Sequence, residues 1–260
     1  MTAINPLVVD LSHWDPASDY TAVVNDNIVG VIFKATEGQF YTDDLYVSQQ
    51  HAAKAAGLKW GCYHFADSSD VDGQIENFMR FACPDPDELF CLDWEDNDGD
   101  TMSAEQAKEW ITRVETLLDR HGECVIYSGN TAKEALGDSV SEFFGSRRLW
   151  LCQYGSAPTC QESWDKPWLW QFTDGISGPT PHSIDGIGPC DINSYDGTAK
   201  QLIAEWASGA AQPLPPLPDQ QVVDVLISAP ADVLVKVRQR TVTVTRARRP
   251  SRLFEAQSSC

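Results

Sequence analysis

The chain has 260 residues, of which 42% are hydrophobic and 10% aromatic, and its formal net charge at pH 7 is −19. This length and apolar content exclude wholesale disorder and allow one large domain with an appendage. Residues 236–260 hold seven basic residues and one acid, so residues 1–235 carry a net charge of −25. A body this acidic repels polyanions, and we expect no nucleic-acid partner.

Short apolar runs alternate with helical segments along the first half of the chain. The strand candidates are residues 7–11, 29–34, 59–65, 89–93, 124–127, 149–153, 168–172 and a stretch near Asp191. The helix candidates are residues 43–56, 72–81 and 103–121, the last opened by Ser103 and Gln106 as a capping box.

Strand and helix alternation predicts an α/β fold with a largely parallel sheet. The later strands are separated by loops that are rich in glycine and proline. We therefore predict an irregular (β/α) barrel, TIM-like with about eight strands, parallel in its first half and with some antiparallel late strands. An open doubly wound sheet is the alternative.

A proline-rich stretch at residues 213–218 predicts an extended spacer. The predicted organisation is a barrel over residues 1–209, a linker over 210–220 and a small, basic, β-prone extension over 221–260. An extension of this size cannot support its own core, so it must pack on the main domain, pair with another chain or stay loose. Surface binding and self-association are its candidate roles.

The remaining sequence signals bear on compartment and cofactors. Residues 1–6 lack the basic and apolar regions of a secretory signal, and the apolar runs are too short to span a bilayer. We therefore expect a protein made in the cytosol, without membrane insertion. Eight cysteines are spread without CxxC or Cys/His ligand spacing, so we expect reduced thiols, no metal and no cofactor. Nucleotide-binding and serine-nucleophile motifs do not occur near the strands.

Two carboxylates end the strand over residues 89–93. Asp93 and Glu95 are two positions apart, and side chains alternate across a strand, so both acids are expected on one surface. Repulsion and unequal burial can hold one of them protonated and the other ionised, as glycoside hydrolysis requires. A solvated acidic loop is the competing interpretation.

The barrel prediction gathers further polar residues at one mouth, because active sites form at the C-terminal ends of barrel strands. The residues at or just past such ends are Asp10, Glu37, His64, Asp93, Glu95, Tyr127, Tyr154 and Asp191.

In order along the chain, these segments resemble the glycoside hydrolase family 25 muramidases, which are lysozymes, including enzymes of the phage endolysin type. The segments that carry the resemblance are residues 9–14 (VDLSHW), 33–38 (FKATEG), 61–65 (GCYHF), 92–95 (LDWE), 127–128 (YS), 149–154 (LWLCQY), 170–172 (WQF) and 191–193 (DIN). The resemblance covers about residues 7–206 and implies a β/α barrel with a few terminal antiparallel strands.

The resemblance also implies roles. Glu95 matches the general acid, Asp93 matches its carboxylate partner, and Asp10 and Asp191 match two further acids of the groove. Negative charge near the reacting sugar stabilises an oxocarbenium-like state. Asp93 either attacks the sugar or orients the N-acetyl group of the substrate to do so. We expect the second route, with retention of configuration.

Substrate contacts are predicted from position beside strand ends. The candidates are Glu37, Tyr63, Trp94, Tyr127, Tyr154 and Trp170, with Tyr127 matching a groove position of the family. The bland alternative for the tryptophans, including Trp14, is a place in the core. Lys34 is expected to pair with a neighbouring acid, and His64 to be a hydrogen-bonded structural residue.

The function expected from these residues is hydrolysis of the β-1,4 bond between N-acetylmuramic acid and N-acetylglucosamine in bacterial peptidoglycan. An endolysin that is kept in the host cytoplasm and released to the wall through a membrane hole suits the absence of a leader. A non-catalytic wall-binding or virion-associated module on the same barrel is the alternative. The sequence leaves the oligomeric state open and slightly favours a monomer.

Overall fold

The computed structural model describes residues 4–207, and the predicted linker and basic extension lie outside the described residues. The strands in chain order are β1 (Pro6–Leu11), β2 (Gly30–Glu37), β3 (Tyr41–Thr42), β4 (Lys59–Phe65), β5 (Leu89–Asp93), β6 (Val125–Ser128), β7 (Arg148–Cys152), β8 (Leu169–Thr173), β9 (Ser183–Ile184), β10 (Gly188–Pro189) and β11 (Asp191–Ser194). The helices are α1 (Tyr20–Asn25), α2 (Tyr46–Ala55), α3 (Val71–Phe81), α4 (Ala104–Leu118), α5 (Asn130–Leu136), α6 (Glu142–Gly145) and α7 (Ala199–Glu205).

A closed eight-stranded barrel forms the centre of the fold. Its strands follow the order β1, β11, β8, β7, β6, β5, β4, β2, and a pairing of β1 with β2 closes the ring. Neighbours from β2 round to β8 are parallel, as is the closing pair, whereas β11 is antiparallel to both β1 and β8. The predicted irregular barrel is confirmed, and the open sheet is excluded.

Fewer of the late barrel strands are antiparallel than the sequence predicted. Strands β6, β7 and β8 pair with one another in parallel, although no long helix lies between β7 and β8. Within the described ring the reversal is confined to β11, while the short strands β3, β9 and β10 make antiparallel pairs outside it.

Of the three predicted helices, α2 and α4 are shorter than predicted, whereas α3 begins one residue earlier, at Val71. Asp70 caps α3 by accepting a hydrogen bond from the Gly73 amide. Ser103 and Gln106 form the predicted capping box at the start of α4, which is confirmed. Short helices that lack a long apolar repeat, namely α1, α5, α6 and α7, were not predicted.

Alternating strand residues divide the core into two parts. One cluster fills the barrel lumen and includes Val8, Ile32, Leu89, Cys91, Val125 and Leu169. The larger cluster lies between the strands and the surrounding helices. Helix α7 closes the lower end of the lumen, since Trp206 is buried in the luminal cluster and its indole N–H donates to the Trp60 carbonyl at 2.7 Å. The apolar lower lumen leaves the upper end for polar side chains.

Two further findings concern the described residues. None of their helices has both the length and the apolar character that crossing a membrane requires. Four of their cysteines, Cys62, Cys91, Cys124 and Cys190, are buried and form no disulfides.

Candidate active site

Four carboxylates meet at the upper end of the barrel. Asp10 lies near the end of β1, Asp93 ends β5, and Glu95 follows two residues later. Asp191 begins β11, and because β11 runs against its neighbours, a residue at its start reaches the same end as residues that finish the parallel strands. Asp10 and Asp191 are direct partners across the β1 and β11 pair. The structure thus brings together the four acids that the sequence singled out.

The side-chain alternation of β5 places Asp93 in the lumen and Trp94 outside it. Leu89 and Cys91 belong to the luminal cluster, so Asp93 continues their row. Trp94 is 0% exposed, its ring stacks on Phe144, and its indole N–H donates to the Met102 carbonyl at 2.8 Å. The prediction that Trp94 contacts the substrate is therefore wrong, because no face of its ring is open.

The same alternation contradicts the prediction that Trp170 contacts the substrate. Leu169 is luminal, so Trp170 points away from the lumen and Gln171 points into it. Trp170 is only 3% exposed and its indole N–H donates to the Gln153 carbonyl at 2.7 Å. Trp170 therefore packs in the core and does not contact a sugar ring. Its neighbour Gln171 points toward the acids.

Burial raises the pKa of each member of the Asp93 and Glu95 pair. For Glu95 the pKa rises from 4.5 to about 7, through burial and then the charge of Asp96. For Asp93 the pKa lies well above 3.8, through burial and then repulsion from Glu95. One oxygen of Asp93, Oδ1, is buried and has no hydrogen-bond partner within residues 4–207. A carboxyl that is partly protonated near neutral pH suits a general acid.

Asp10 and Asp191 differ in their partners. Burial raises the pKa of Asp10 to about 7, while hydrogen bonds from Asn193 and Gln171 act in the opposite direction. The pKa of Asp191 rises to about 9, through burial and then the charges of Asp10 and Asp15. The donors around Asp10 therefore favour its ionised form over that of Asp191.

A lysine balances part of this negative charge. Lys34 follows Ile32 into the lumen and forms an ion pair with Glu37 at 2.5 Å, so the predicted pairing with an acid is confirmed. The lysine charge lowers the pKa of Asp93 and Glu95 against the effect of burial. Glu37 also accepts a hydrogen bond from Asn97 at 3.2 Å. Glu37 thus lies at the rim, engaged with the cation that faces the acids.

Three predicted tyrosines lie at or near the mouth. The hydroxyl groups of Tyr127 and Tyr154 donate to Gln171 Oε1 at 3.0 and 2.9 Å. Tyr63 is half-buried, and the charge of Asp93 adds to the burial that raises its pKa. Tyr154 is 39% exposed and offers ring surface at the opening, whereas Tyr127 is 7% exposed.

His64 lies on the outer side of β4, away from the lumen. Its ring is buried, pairs with the Thr36 hydroxyl and Gln74, and stacks on Trp110. Burial lowers the pKa of His64 to about 4. The expectation of a hydrogen-bonded structural histidine is confirmed.

Exposed aromatic rings next to the acids form what we call the aromatic shelf, comprising His13, Trp14 and Tyr41. Trp14 is 83% exposed and its ring lies 4.6 Å from that of His13, centroid to centroid. The buried Asp43 holds this loop by accepting hydrogen bonds from the His13 backbone and ring. The Tyr41 hydroxyl lies 2.9 Å from His13 Nδ1, and the centroid of the Tyr41 ring lies 5.3 Å from Lys34 Nζ, which connects the shelf to the acids.

Of this shelf, the sequence singles out Trp14 alone, as a sugar contact or a core residue, and its 83% exposure excludes the core. Tyr41 comes from β3, so no local spacing relates it to the loop after β1. Nor does any group of three or more His, Cys, Asp or Glu side chains within residues 4–207 have an arrangement that holds a metal ion.

The chain is similar to glycosyl hydrolases and lysozymes. The model of the glycosyl hydrolases family 25 matches residues 9–180. The autolytic lysozyme of Clostridium acetobutylicum is 29% identical over 192 residues, which cover 72% of this chain and 55% of that protein. Lysozyme M1 of Streptomyces globisporus is 26% identical over 212 residues, covering 75% and 69%. The crystal structure of a bacterial lysozyme from Streptomyces coelicolor superposes with a TM-score of 0.67 at 26% identity, covering 80% of this chain and 99% of that one.

Proposed function

Because the chain belongs to the glycosyl hydrolases family 25, we propose that it is a muramidase that hydrolyses the β-1,4 bond between N-acetylmuramic acid and N-acetylglucosamine in peptidoglycan. The observation that carries this proposal is the pair formed by the buried Asp93 and the half-buried Glu95 at the end of β5. The lysozyme relatives support the choice of a wall glycan as substrate.

In the proposed reaction, Glu95 donates its proton to the leaving glycosidic oxygen. A pKa of about 7 leaves a substantial fraction of Glu95 protonated at neutral pH. After the leaving sugar departs, the resulting carboxylate takes a proton from the attacking water.

Asp93 orients the acetamido group of the substrate in this scheme. Asp93 is 7% exposed at the mouth, and among the described residues no side chain donates to its carboxylate, so its exposed edge can accept the N–H of that group. With its N–H held, the acetamido carbonyl oxygen attacks the anomeric carbon and gives retention of configuration. Direct attack by Asp93 also gives retention, so the trapped intermediate distinguishes the two routes.

The proposal is tested on purified peptidoglycan with wild type and Glu95→Gln. General acid catalysis contributes about 10²- to 10⁴-fold, and we expect a loss of that order in the release of reducing ends. Glu105→Gln is the matched control, because Glu105 is exposed in the first turn of α4. Borohydride reduction of the products, followed by mass analysis, should find muramic acid at the new ends.

Other outcomes would exclude parts of the proposal. Glucosamine at the new ends would contradict the bond assignment, and an inverted first-formed anomer, observed by NMR, would exclude both retaining routes. Wall binding without any turnover by the wild type would favour the non-catalytic module instead.

We also propose an endolysin role, in which the enzyme stays in the host cytoplasm until a membrane hole admits it to the wall. The buried thiols of Cys62, Cys91, Cys124 and Cys190, which form no disulfides, support storage in a reducing compartment. Cytoplasmic expression should leave cells intact until a hole-forming protein is co-expressed, and culture turbidity measures the result. Equal lysis without that protein would contradict this role.

A further inference from the structure

Among the four carboxylates that meet at the upper end of the barrel, Asp10 accepts the most side-chain hydrogen bonds. It is 7% exposed, and each of its oxygens accepts a hydrogen bond from a side-chain amide. Gln171 Nε2 donates to Oδ1 at 2.9 Å, and Asn193 Nδ2 donates to Oδ2 at 2.7 Å. Among the described residues, no side chain donates in this way to the other three acids, Asp93, Glu95 and Asp191.

Neighbouring donors fix the direction of both amides. The indole N–H of Trp150 can only donate, and it donates to Asn193 Oδ1 at 2.5 Å, so the Asn193 amino group must face Asp10. On the other side, the hydroxyls of Tyr127 and Tyr154 both donate to Gln171 Oε1, which turns the Gln171 amino group toward Asp10. The Trp150 indole therefore orients the Asn193 amide, and the two tyrosine hydroxyls orient the Gln171 amide. These two amides in turn orient the carboxylate of Asp10.

We propose that Gln171 and Asn193 are positioning residues that keep Asp10 ionised at the mouth and fix the orientation of its carboxylate. The proposal rests on the proposed function for its chemical purpose. A fixed negative charge beside the reacting sugar stabilises an oxocarbenium-like state. The charge of Asp10 also opposes ionisation of the nearby acids, which favours the protonated form of the donor Glu95.

Many titratable groups face Asp10 from the elements around the mouth. They are Asp15 after β1, Tyr63 on β4, Asp93 and Glu95 at β5, Tyr127 on β6, Cys152 and Tyr154 at β7, and Cys190 and Asp191 at β11. A test must therefore change the donor to Asp10 and leave these groups in place.

Two substitutions of Gln171 provide such a test. Gln171→Met removes the donor, so the pKa of Asp10 should rise and the acidic limb of the kcat profile should move up by about one pH unit. Gln171→Glu keeps the shape and both tyrosine contacts but places a second carboxyl against Asp10. That pair shares one proton and keeps one negative charge down to a lower pH than Asp10 alone, so the acidic limb should move down.

The expected result is that the acidic limb moves up in Gln171→Met and down in Gln171→Glu, with kcat falling tenfold or more and KM changing less than threefold. Gln161→Met is the matched control, because Gln161 is buried, donates to the carbonyls of Gly137 and Ser139, and lies away from the mouth. Gln161→Met should keep the wild-type limbs. Wild-type limbs in both Gln171 variants, or a change in KM alone, would overturn the proposal.

A second measurement separates this proposal from the proposed function. Carboxyl ¹³C NMR follows the titration of Asp10 in the wild type and in Gln171→Glu and Gln171→Met, with no substrate present. A higher pKa of Asp10 in Gln171→Met supports the positioning role even if the wild type releases no sugar ends from peptidoglycan. An unchanged titration of Asp10 in both variants overturns the role even if the enzyme proves to be a muramidase.

Discussion

Replacing Asp191 with Asn removes a charge from the mouth and preserves the side-chain shape. Burial and the charges of Asp10 and Asp15 raise the pKa of Asp191 from 3.8 to about 9. The folded chain therefore binds this proton more tightly than the unfolded chain, so the wild type loses stability as the pH rises from about 4 toward 9. Because Asn resembles the protonated acid, Asp191→Asn should avoid that loss.

The size of the effect follows from the shift. One pKa unit corresponds to about 1.4 kcal/mol, which sets a ceiling of roughly 4 kcal/mol at pH 7. Asp191 is partly exposed, so solvent screening and relaxation reduce the expected gain to about 1–3 kcal/mol. For a domain of this size, the melting temperature should rise by about 2–10 °C at pH 7. At pH 4 the two proteins should melt within about 1 °C of each other.

Thermal unfolding followed by circular dichroism between pH 4 and pH 8.5 measures this difference. Asp138→Asn is the control, because Asp138 is exposed on the turn after α5, and its melting temperature should follow the wild type at every pH. A melting difference for Asp191→Asn that is the same at pH 4 and pH 8.5 would refute the electrostatic reasoning and indicate a packing effect. The variant should also lose glycan turnover, so stability and activity should move in opposite directions.

Three further perturbations address other parts of the molecule. Trp14→Ala should raise KM for a soluble wall glycan several-fold with kcat little changed, because the ring is exposed on the aromatic shelf. Val140 is exposed in the loop after α5, and Val140→Ala should change neither constant in steady-state kinetics. Gly30→Ala should cost about 1–3 kcal/mol in urea unfolding, since a Cβ at Gly30 would overlap the Trp206 ring, while the folded fraction keeps its turnover. Removing residues 208–260 should leave turnover of soluble glycan unchanged, because the described barrel and its lower closure remain. Unchanged wall affinity and unchanged molar mass after this truncation would dismiss wall binding and self-association as roles of the extension.

Sequence patterns predicted the barrel because its strands are short apolar runs bounded by polar residues. The strands at Lys59–Phe65 and Leu89–Asp93 occur with the predicted bounds, and the acids were found because charge at the end of a buried strand stands out. The direction of β11 was not evident, since one short strand pairs equally well either way in a sequence pattern. Its reversal is what brings Asp191 opposite Asp10.

The errors in the site have one cause. Trp94 and Trp170 were chosen for their position beside strand ends, but adjacent residues on a strand point to opposite faces. If Asp93 points into the lumen, Trp94 must point out of it. By the same rule, Gln171 and not Trp170 points into the lumen. Strand parity was available in the sequence. The partners of Gln171 were not, because Tyr127 and Tyr154 reach it from neighbouring strands that only the closed barrel brings together.

The barrel separates stability from chemistry along its axis. Its lower lumen is apolar and closed by Trp206, whereas its upper end sets Asp10 and Asp191 directly opposite each other, an arrangement of like charges that destabilises a strand pair. Folding alone gives no reason for such a pair, but a reaction that develops positive charge does. Substitutions in the lower lumen should therefore reduce stability and spare turnover, and neutralising Asp191 should do the reverse. The two classes of variant together test whether the upper charges are retained for the chemistry.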